Sequence, residues 1–246
     1  MLRETCYLRR EKRDVLKDLP DIQHSVLEME LSNTKTYLKA EEQFIDYMRE
    51  NFTSMRVDSA LMAEALVQRN QLRQLSLKGK EKDIVEWLEN FSTQSNEKVL
   101  IVSNFSEILI NLSHRFKSDL IDGSKNALKK REIVQSWAMN KKQFLFGNIK
   151  AIGTGTDGLQ TNCSTIVVLD MPEKPSLLDQ TISRIERIGV KNAINVYYLL
   201  SKITIDAVMW DAIQQKRQIT EAVNKGLSVD IVNIDDLIFK HYLKSI

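Results

Sequence analysis

Five short apolar runs constrain the fold of this chain of 246 residues more than any other feature. Each run is a continuous hydrophobic segment of the kind expected of a strand that is buried on both faces. The runs are Lys98–Ser103, Asp119–Ile121, Phe144–Phe146, Thr165–Asp170 and Ile194–Leu200. Helical patterns separate most of them, at Glu107–Phe116, Leu128–Met139 and Leu177–Ile188. This alternation predicts an α/β fold in which helices flank a parallel sheet and ligands bind beyond the carboxyl ends of its strands.

The segments upstream of these runs are mostly helical in pattern. Ser25–Leu31 alternates between apolar and polar residues like a strand. The segment from Asn33 to about Ser76 is almost free of Gly and Pro and predicts two long helices with apolar stripes. A further helix is predicted around Ile84, before the first of the buried strands.

Two more helices are predicted downstream of the last apolar run. Thr204–Asn224 reads as one long helix, with Thr204 as its N-cap and Gly226 as its C-cap. The last twenty residues predict a short helix around Leu237 and Tyr242.

Overall charge says little about partners, because 35 basic residues face 33 acidic ones. The segment from Ser124 to Lys150 is more basic, with seven cations against Glu132: Lys125, Lys129, Lys130, Arg131, Lys141, Lys142 and Lys150. Such a segment can attract phosphate backbones, although a solvated helix face is the simpler interpretation and the favoured one.

Cysteine usage and hydropathy indicate the compartment. Cys6 and Cys163 are far apart, which argues against a disulfide framework or a zinc site and suits a reducing environment. No segment has the roughly 20 apolar residues that span a bilayer, and the N-terminus has no apolar signal region. We therefore expect a soluble, intracellular protein that does not bind membranes. The three histidines are scattered, and we predict no metal site.

Gln180, Arg184 and Arg187 form the clearest candidate binding site. Their i, i+4, i+7 spacing places them on one face of the predicted helix Leu177–Ile188. This helix follows a strand end, so it begins on the ligand-binding side of the sheet. Arginine suits multidentate phosphate recognition and can stabilise charge on a transferring phosphoryl group. The alternative is an exposed helix face with incidental ion pairs.

Two other segments follow predicted strands and carry small polar residues. Gly153–Leu159 contains three glycines, which permit close approach of a ligand to the backbone, although most such segments are simple turns. It is not a Walker A loop, because no Lys-Ser/Thr pair follows its last glycine. Ser103 and Asn104 end the first buried strand and could meet a nucleic-acid backbone, or one of them could cap the next helix.

With these segments in view, the chain resembles the second RecA-like lobe of SNF2-type enzymes, the superfamily 2 DNA-dependent ATPases. The resemblance rests on several motifs in the expected order. The segment Tyr7–Pro20 is similar to the interlobe linker, and Lys98–Phe105 is similar to motif IV. The segment Ile121–Ser124, followed by Arg131, is similar to the segment that precedes the next helix in the family. Motif V is matched by Ile149–Leu159, motif VI by Gln180–Gly189, and the closing helix by Thr204–Asp206 with Lys216.

This resemblance implies a domain organisation and a set of roles. Residues 1–31 would form the interlobe linker and entry strand, 32–79 a helical protrusion, 80–226 the RecA-like lobe and 227–246 a C-terminal helical extension. Arg184 and Arg187 would be catalytic, with Arg187 as the arginine finger. Gln180, Gly155, Asp157 and Gly158 would serve the nucleotide. The residues expected to contact DNA, which is predicted to be double-stranded, are Ser103, Asn104, Lys150 and Thr154.

The chain departs from the family pattern in two ways. Ser183, Glu186 and Val190 stand where members commonly have Asp, His and Gln, and Thr156 and Gln160 replace a common Gly and Asn. The sequence also has no G-x-x-x-x-G-K-[ST] motif and no Asp-Glu-x-His box. We therefore expect Mg-ATP to be bound mainly by an N-terminal lobe, in cis or in trans, and the chain alone to lack ATPase activity. The alternative function is a non-catalytic module that binds nucleic acid or protein.

Overall fold

Six strands form a parallel sheet, as the alternation of strands and helices predicts. The computed structural model describes residues 19–52, 59–187, 192–224 and 233–244. The strands are β1 (Ile22–Glu28), β2 (Lys98–Ser103), β3 (Asp119–Ile121), β4 (Phe144–Asn148), β5 (Cys163–Val168) and β6 (Ile194–Leu200), in the spatial order β1-β6-β5-β2-β4-β3. All neighbouring pairs are parallel. Strand β1 begins and ends three residues earlier in the chain than the predicted strand at Ser25–Leu31.

Helices pack on both faces of this sheet, so the architecture has the three layers expected of a RecA-like lobe. The helices are α1 (Thr34–Asn51), α2 (Ser59–Gln94), α3 (Ser106–Arg115), α4 (Ala127–Met139), α5 (Ile149–Gly153), α6 (Pro175–Ile185), α7 (Ile205–Asn224) and α8 (Ile234–Lys244), with a 3-10 turn at Leu159–Thr161. The chain's 43% hydrophobic content supplies a core on each side of the sheet.

The alternation of side chains along β2 divides these two cores. Leu100 and Val102 join the core formed by α1, α4, α6, α7 and α8. Val99 and Ile101 join the smaller core formed by α3 and the C-terminal half of α2. Because successive residues of a strand point to opposite faces, a strand covered on both sides must be apolar at every position. This requirement explains why the central strands were recognisable as continuous apolar runs.

Helix α2 differs from the prediction. The predicted end of a helix near Ser76 and a separate helix around Ile84 were wrong, because a single helix of 36 residues covers both. The proposed domain division between residues 79 and 80 falls inside this helix. Gly79 permits close packing there, since a Cβ atom at Gly79 would lie 2.1 Å from Oδ1 of Asn33. The glycine therefore serves helix packing and does not end the helix.

The C-terminal helices confirm two predictions. The Thr204 hydroxyl accepts a hydrogen bond from the Asp206 backbone N–H (3.2 Å), as an N-cap of α7 should. Helix α8 lies where the short terminal helix was predicted, and Tyr242 donates a hydrogen bond to Glu41 of α1 (3.0 Å). The predicted C-cap Gly226 and the linker segment 7–18 lie outside the described residues.

Candidate functional site

Polar side chains gather where the parallel strands end. Ser103 ends β2, Asn148 ends β4, Asp170 follows β5 and Ser201 follows β6. The carboxyl ends of parallel strands meet at one edge of a sheet, and this edge carries the ligand sites of open α/β folds. The sequence predicted Ser103 as a site residue but not Asp170 or Asn148, although Asp170 ends one apolar run and Asn148 lies two residues after another.

The predicted anion site forms a cavity, but its helix is shorter than expected. Gln180 and Arg184 lie on α6, whereas α6 ends at Ile185 and Arg187 follows the helix. The Arg187 backbone N–H bonds the Ile185 carbonyl (2.8 Å) in a tight turn, so the predicted continuation to Ile188 was wrong at Arg187. Ile188 and Gly189 themselves lie outside the described residues.

Despite this difference, the three predicted side chains line one open cavity of about 1080 Å³. Its wall also contains Gly153, Thr154 and Gln160, so α5 and the glycine-rich segment face α6 across the cavity. A Cβ atom at Gly153 would lie 3.4 Å from Oε1 of Gln180, so the absence of a side chain at residue 153 gives Gln180 room.

Asp157 brings the two arginines together. Its Oδ1 accepts hydrogen bonds from Arg187 (2.8 Å) and Arg184 (3.5 Å), and Arg184 also donates to the Gly153 carbonyl (2.8 Å). The Asp157 side chain is 65% exposed, against 37% for Arg187 and 27% for Arg184. Ion pairs this exposed contribute about 1 kcal/mol or less, so another anion can replace the carboxylate at low cost.

The glycine-rich segment is shaped by a buried lysine. Lys130 of α4 donates to the carbonyls of Ala151 (2.7 Å) and Thr154 (2.9 Å), and burial lowers the pKa of its amine. Gly155 and Gly158 have φ angles of +70° and +93°, in the left-handed region that favours glycine. Lys130 therefore holds this turn from inside the protein, and its inclusion among surface cations was wrong.

Gln160 carries a polar atom that lacks a partner among the described residues. This atom, Oε1, is buried and makes no hydrogen bond to the part of the chain that the structure describes. A buried acceptor without a donor is costly, so this amide oxygen is an unfavourable feature of the cavity wall. The groups of this cavity that suit a phosphate are the guanidiniums of Arg184 and Arg187.

The predicted nucleic-acid residues occupy two different environments. Ser103 is buried, and its hydroxyl donates to Asp170 and accepts from the Phe105 N–H (3.0 Å). Asn104 donates to Asp170 through its backbone N–H (2.9 Å) and its side-chain amide (2.6 Å). The alternative role as cap of α3 was wrong, because the cap position is Phe105 and no side chain caps it.

Lys150 and Thr154, by contrast, are exposed. The Lys150 ammonium lies 3.9 Å from the Glu173 carboxylate, and the Thr154 hydroxyl donates to the Lys150 carbonyl (3.0 Å). The Asn148 side chain links them to Asn104. Its Nδ2 donates to the Asn104 carbonyl (3.0 Å) and its Oδ1 accepts from the Lys150 N–H (3.1 Å).

Acidic neighbours reduce the charge of the basic segment at 124–150. Cations of that segment lie within 4 Å of carboxylates in four pairs: Lys125 with Asp122, Lys129 with Glu132, Lys142 with Asp119 and Lys150 with Glu173. Arg131 and Lys141 are exposed, without a carboxylate partner among the described salt bridges. The segment therefore resembles a solvated helix face more than a continuous anion-binding patch.

Among the residues that the structure describes, no three His, Cys, Asp or Glu side chains come together as a metal site would require. No described helix has both the length and the hydropathy needed to cross a membrane.

Comparisons with known proteins identify sequences related to this chain. Residues 79–189 match the family described as Helicase conserved C-terminal domain. The chain is 23% identical over 217 residues to the chromatin-remodeling ATPase INO80 of Debaryomyces hansenii. It is 25% identical over 226 residues to the SWI/SNF-related matrix-associated actin-dependent regulator of chromatin subfamily A-like protein 1 of Xenopus tropicalis. These matches cover 85% and 88% of this chain but only 16% and 23% of those relatives.

Solved structures share the fold. The C-terminal part of the Fun30 ATPase domain matches 93% of this chain and all of its own length, with a TM-score of 0.64 and 14% identity. The Sulfolobus solfataricus SWI2/SNF2 ATPase core in complex with dsDNA matches 89% of this chain and 50% of its own, with a TM-score of 0.63 and 16% identity. At these identities the likeness concerns the fold.

Proposed function

Because the chain is an SNF2-type C-terminal lobe of the superfamily 2 helicases, we propose that it supplies half of a composite ATPase site in a DNA translocase. The observation that carries the proposal is the convergence of Arg184 and Arg187 on one Asp157 oxygen at the rim of an open cavity. Two guanidiniums that share one carboxylate oxygen are spaced to share a phosphate group, whose oxygens accept hydrogen bonds in the same way.

Each residue of the candidate site has a distinct proposed role at the nucleotide. Arg187, the more exposed of the two arginines, reaches the terminal phosphate as the arginine finger. Arg184 stays tied to the Gly153 carbonyl and orients the glycine-rich turn toward the nucleotide. Gln180 lines the same wall. Gly155, Asp157 and Gly158 place that turn between the nucleotide and the residues proposed to contact DNA.

Mg-ATP bound in this cleft supplies the phosphoryl group and the metal charge, and a P-loop lobe in the same polypeptide or another one holds most of it. The match of this chain to only half of a two-lobe ATPase core supports this division. The chain alone should therefore hydrolyse ATP no faster than a buffer control, because nothing in its sequence resembles a P-loop.

DNA is the second proposed ligand, in its double-stranded form. A solved relative is described in complex with dsDNA, which supports this choice. Lys150 and Thr154 are exposed and suited to contact phosphates directly. Ser103 and Asn104 are engaged with Asp170, and we assign them the task of holding the end of β2 in place beside that surface.

The test is ATP hydrolysis by the complete two-lobe enzyme. Arg187→Ala should reduce DNA-stimulated turnover by about 10³-fold or more if this side chain is the finger. The matched control is Arg115→Ala, whose guanidinium pairs with Glu89 (2.9 Å) outside the cavity and should leave turnover near the parent level. Near-normal turnover by the Arg187 variant would refute the assignment.

The alternative function, a non-catalytic module that binds nucleic acid through the basic segment, receives less support. Four of that segment's seven cations are paired and one is buried. A module of this kind would also have no use for two arginines gathered at a cavity.

A further inference from the structure

Helix α2 carries a row of buried polar side chains along one face. Arg69, Arg73, Ser76 and Lys80 follow one another at intervals of four, three and four residues, so they share a face of the helix. All four are buried, and each is hydrogen-bonded to groups outside α2. A helix rarely buries three cations, so this row needs an explanation beyond packing.

Arg73 is the member of this row that faces the strand ends of the candidate DNA site. Its side chain is 2% exposed, and Nη2 donates to Asp170 (3.2 Å) and to the Met171 carbonyl (2.7 Å). Its guanidinium lies over the Phe105 ring, 5.1 Å from the ring centre. Nη1 donates to Glu173 (3.4 Å). Arg73 thus contacts three residues of the loop that joins β5 to α6.

These contacts close a ring of six residues around the ends of β2, β4 and β5. Asp170 accepts from Arg73 and from Asn104, and the Asn104 carbonyl accepts from Asn148. Asn148 accepts from the Lys150 N–H. The Lys150 ammonium lies 3.9 Å from Glu173, whose other oxygen accepts from Arg73. The buried arginine therefore reaches Lys150 by two routes.

The ring connects Lys150, an exposed cation, to the buried Arg73. Lys150 is at the start of α5, on the surface, and a free lysine side chain there would sample many rotamers. The Asn148 bond sets its backbone, and the Glu173 carboxylate favours rotamers that bring the ammonium to that side of α5. Both Asn148 and Glu173 depend in turn on groups that Arg73 holds.

We propose that Arg73 is a positioning residue, which through the Asp170–Asn104–Asn148 route and through Glu173 places Lys150 to bind a phosphate of duplex DNA. This inference rests on the proposed function, since it takes Lys150 as a DNA contact. Arg73 itself does not touch DNA, because it is buried. The N-terminal half of α2, which carries Arg73, is thereby connected to the proposed DNA surface of the lobe.

The experiment measures binding of a short fluorescein-labelled DNA duplex to the purified chain by fluorescence anisotropy, from about 50 mM to about 200 mM salt. Lys150→Ala should lower the affinity about eightfold near 0.1 M salt and reduce the slope of log K against log [salt] by about 0.9, because one phosphate contact is lost. An unchanged affinity and slope in this variant would refute the DNA contact and, with it, that part of the proposed function.

Arg73→Met tests the positioning role, since methionine keeps an apolar stem but cannot bind Asp170. It should weaken binding about threefold or more and lower the salt slope, and it should cause no additional loss when Lys150 is already alanine. Additive losses in the double variant, or unchanged binding in Arg73→Met while Lys150→Ala weakens it, would overturn the inference and leave the DNA contact standing.

Two further variants separate positioning from stability. Lys80→Met removes another buried cation of the same helix face, one that contacts the Leu169 and Leu199 carbonyls but not the ring, so it should destabilise the fold and leave DNA affinity unchanged. Equal weakening by Lys80→Met and Arg73→Met would overturn the inference. Asn148→Ala opens the ring at a half-buried residue, so it tests the same prediction if Arg73→Met does not fold.

Discussion

The buried ion pair between Lys80 and Asp206 offers the sharpest prediction about stability. Lys80 is fully buried in α2 and donates to Asp206 and to the carbonyls of Leu169 (2.9 Å) and Leu199 (2.8 Å). Asp206 also accepts from Ser76. The cation therefore joins α2 to the ends of two central strands and to the start of α7.

Lys80→Met keeps the volume of the side chain but leaves the Asp206 carboxylate buried without a countercharge. Breaking a buried pair in this way costs about 3–5 kcal/mol. Asp206→Asn should cost less, about 1–3 kcal/mol, because the lysine still has two backbone carbonyls and the amide oxygen as acceptors. In the double variant no charge is buried alone, so its cost should fall about 2 kcal/mol or more short of the sum of the single costs.

Urea unfolding followed by circular dichroism and tryptophan fluorescence measures the four free energies of unfolding, with agreement between the two probes as the check for two-state behaviour. Lys202→Met is the matched control, because Lys202 pairs with Glu28 on the surface with 72% of its side chain exposed, and it should change stability by about 0.5 kcal/mol or less. Single costs that add within about 0.5 kcal/mol would refute the reasoning, because they would mean that the pair is not coupled.

The remaining predictions concern packing, reactivity and pH. Gly79→Ala should destabilise the chain by about 1–3 kcal/mol in the same unfolding assay, although alanine favours helix by about 1 kcal/mol, because the new Cβ would overlap Asn33. An increase in stability would contradict the packing at Gly79. Burial raises the pKa of the Cys163 thiol to about 12, so in a Cys6→Ser variant a thiol reagent should label Cys163 only as fast as the protein opens; labelling at the rate of a free thiol would show an exposed sulfur. Burial also raises the pKa of Glu41 above its usual 4.5, so the native state binds this proton more tightly than the unfolded state. The stability of the parent relative to Glu41→Gln should be greatest below pH 4.5 and fall as the pH rises through the raised native pKa, and a difference that does not vary with pH would refute the shift.

The central sheet could be predicted because double-sided burial leaves a strong trace in sequence. A strand such as β2 must be apolar at every buried position, and neighbouring helices must be amphipathic. The edge strand β1 was misplaced by three residues because most of its side chains are exposed, so only a weak alternation marks its ends. Helix α2 was divided in the prediction because Gly79 and the polar residues around it interrupt the apolar pattern, while the structure buries those polar groups.

The candidate site was predictable as residue types but not as a set of partners. Arg184, Arg187 and Asp157 were all identified, yet nothing in their spacing indicates that the two guanidiniums meet on one carboxylate 27 to 30 residues away in sequence. Lys130 illustrates the opposite error. A lysine in a basic run looks exposed, and only the tertiary structure shows that it holds two carbonyls inside the protein.

The continuity of α2 bears on how a lobe of this kind transmits motion. A helix of 36 residues is about 54 Å long, and its buried cations bind the ends of β5 and β6 and the start of α7. Tilting the N-terminal half of α2 relative to the sheet would require these charged hydrogen bonds to break in a buried environment, each at a cost of about 1.5–3 kcal/mol. The two halves of α2 should therefore move as one body with the strand ends that carry the candidate DNA site. With ATP as the proposed ligand, rearrangement between nucleotide states is expected at the exposed contacts of Asp157 with Arg184 and Arg187, each of which costs about 1 kcal/mol or less to break.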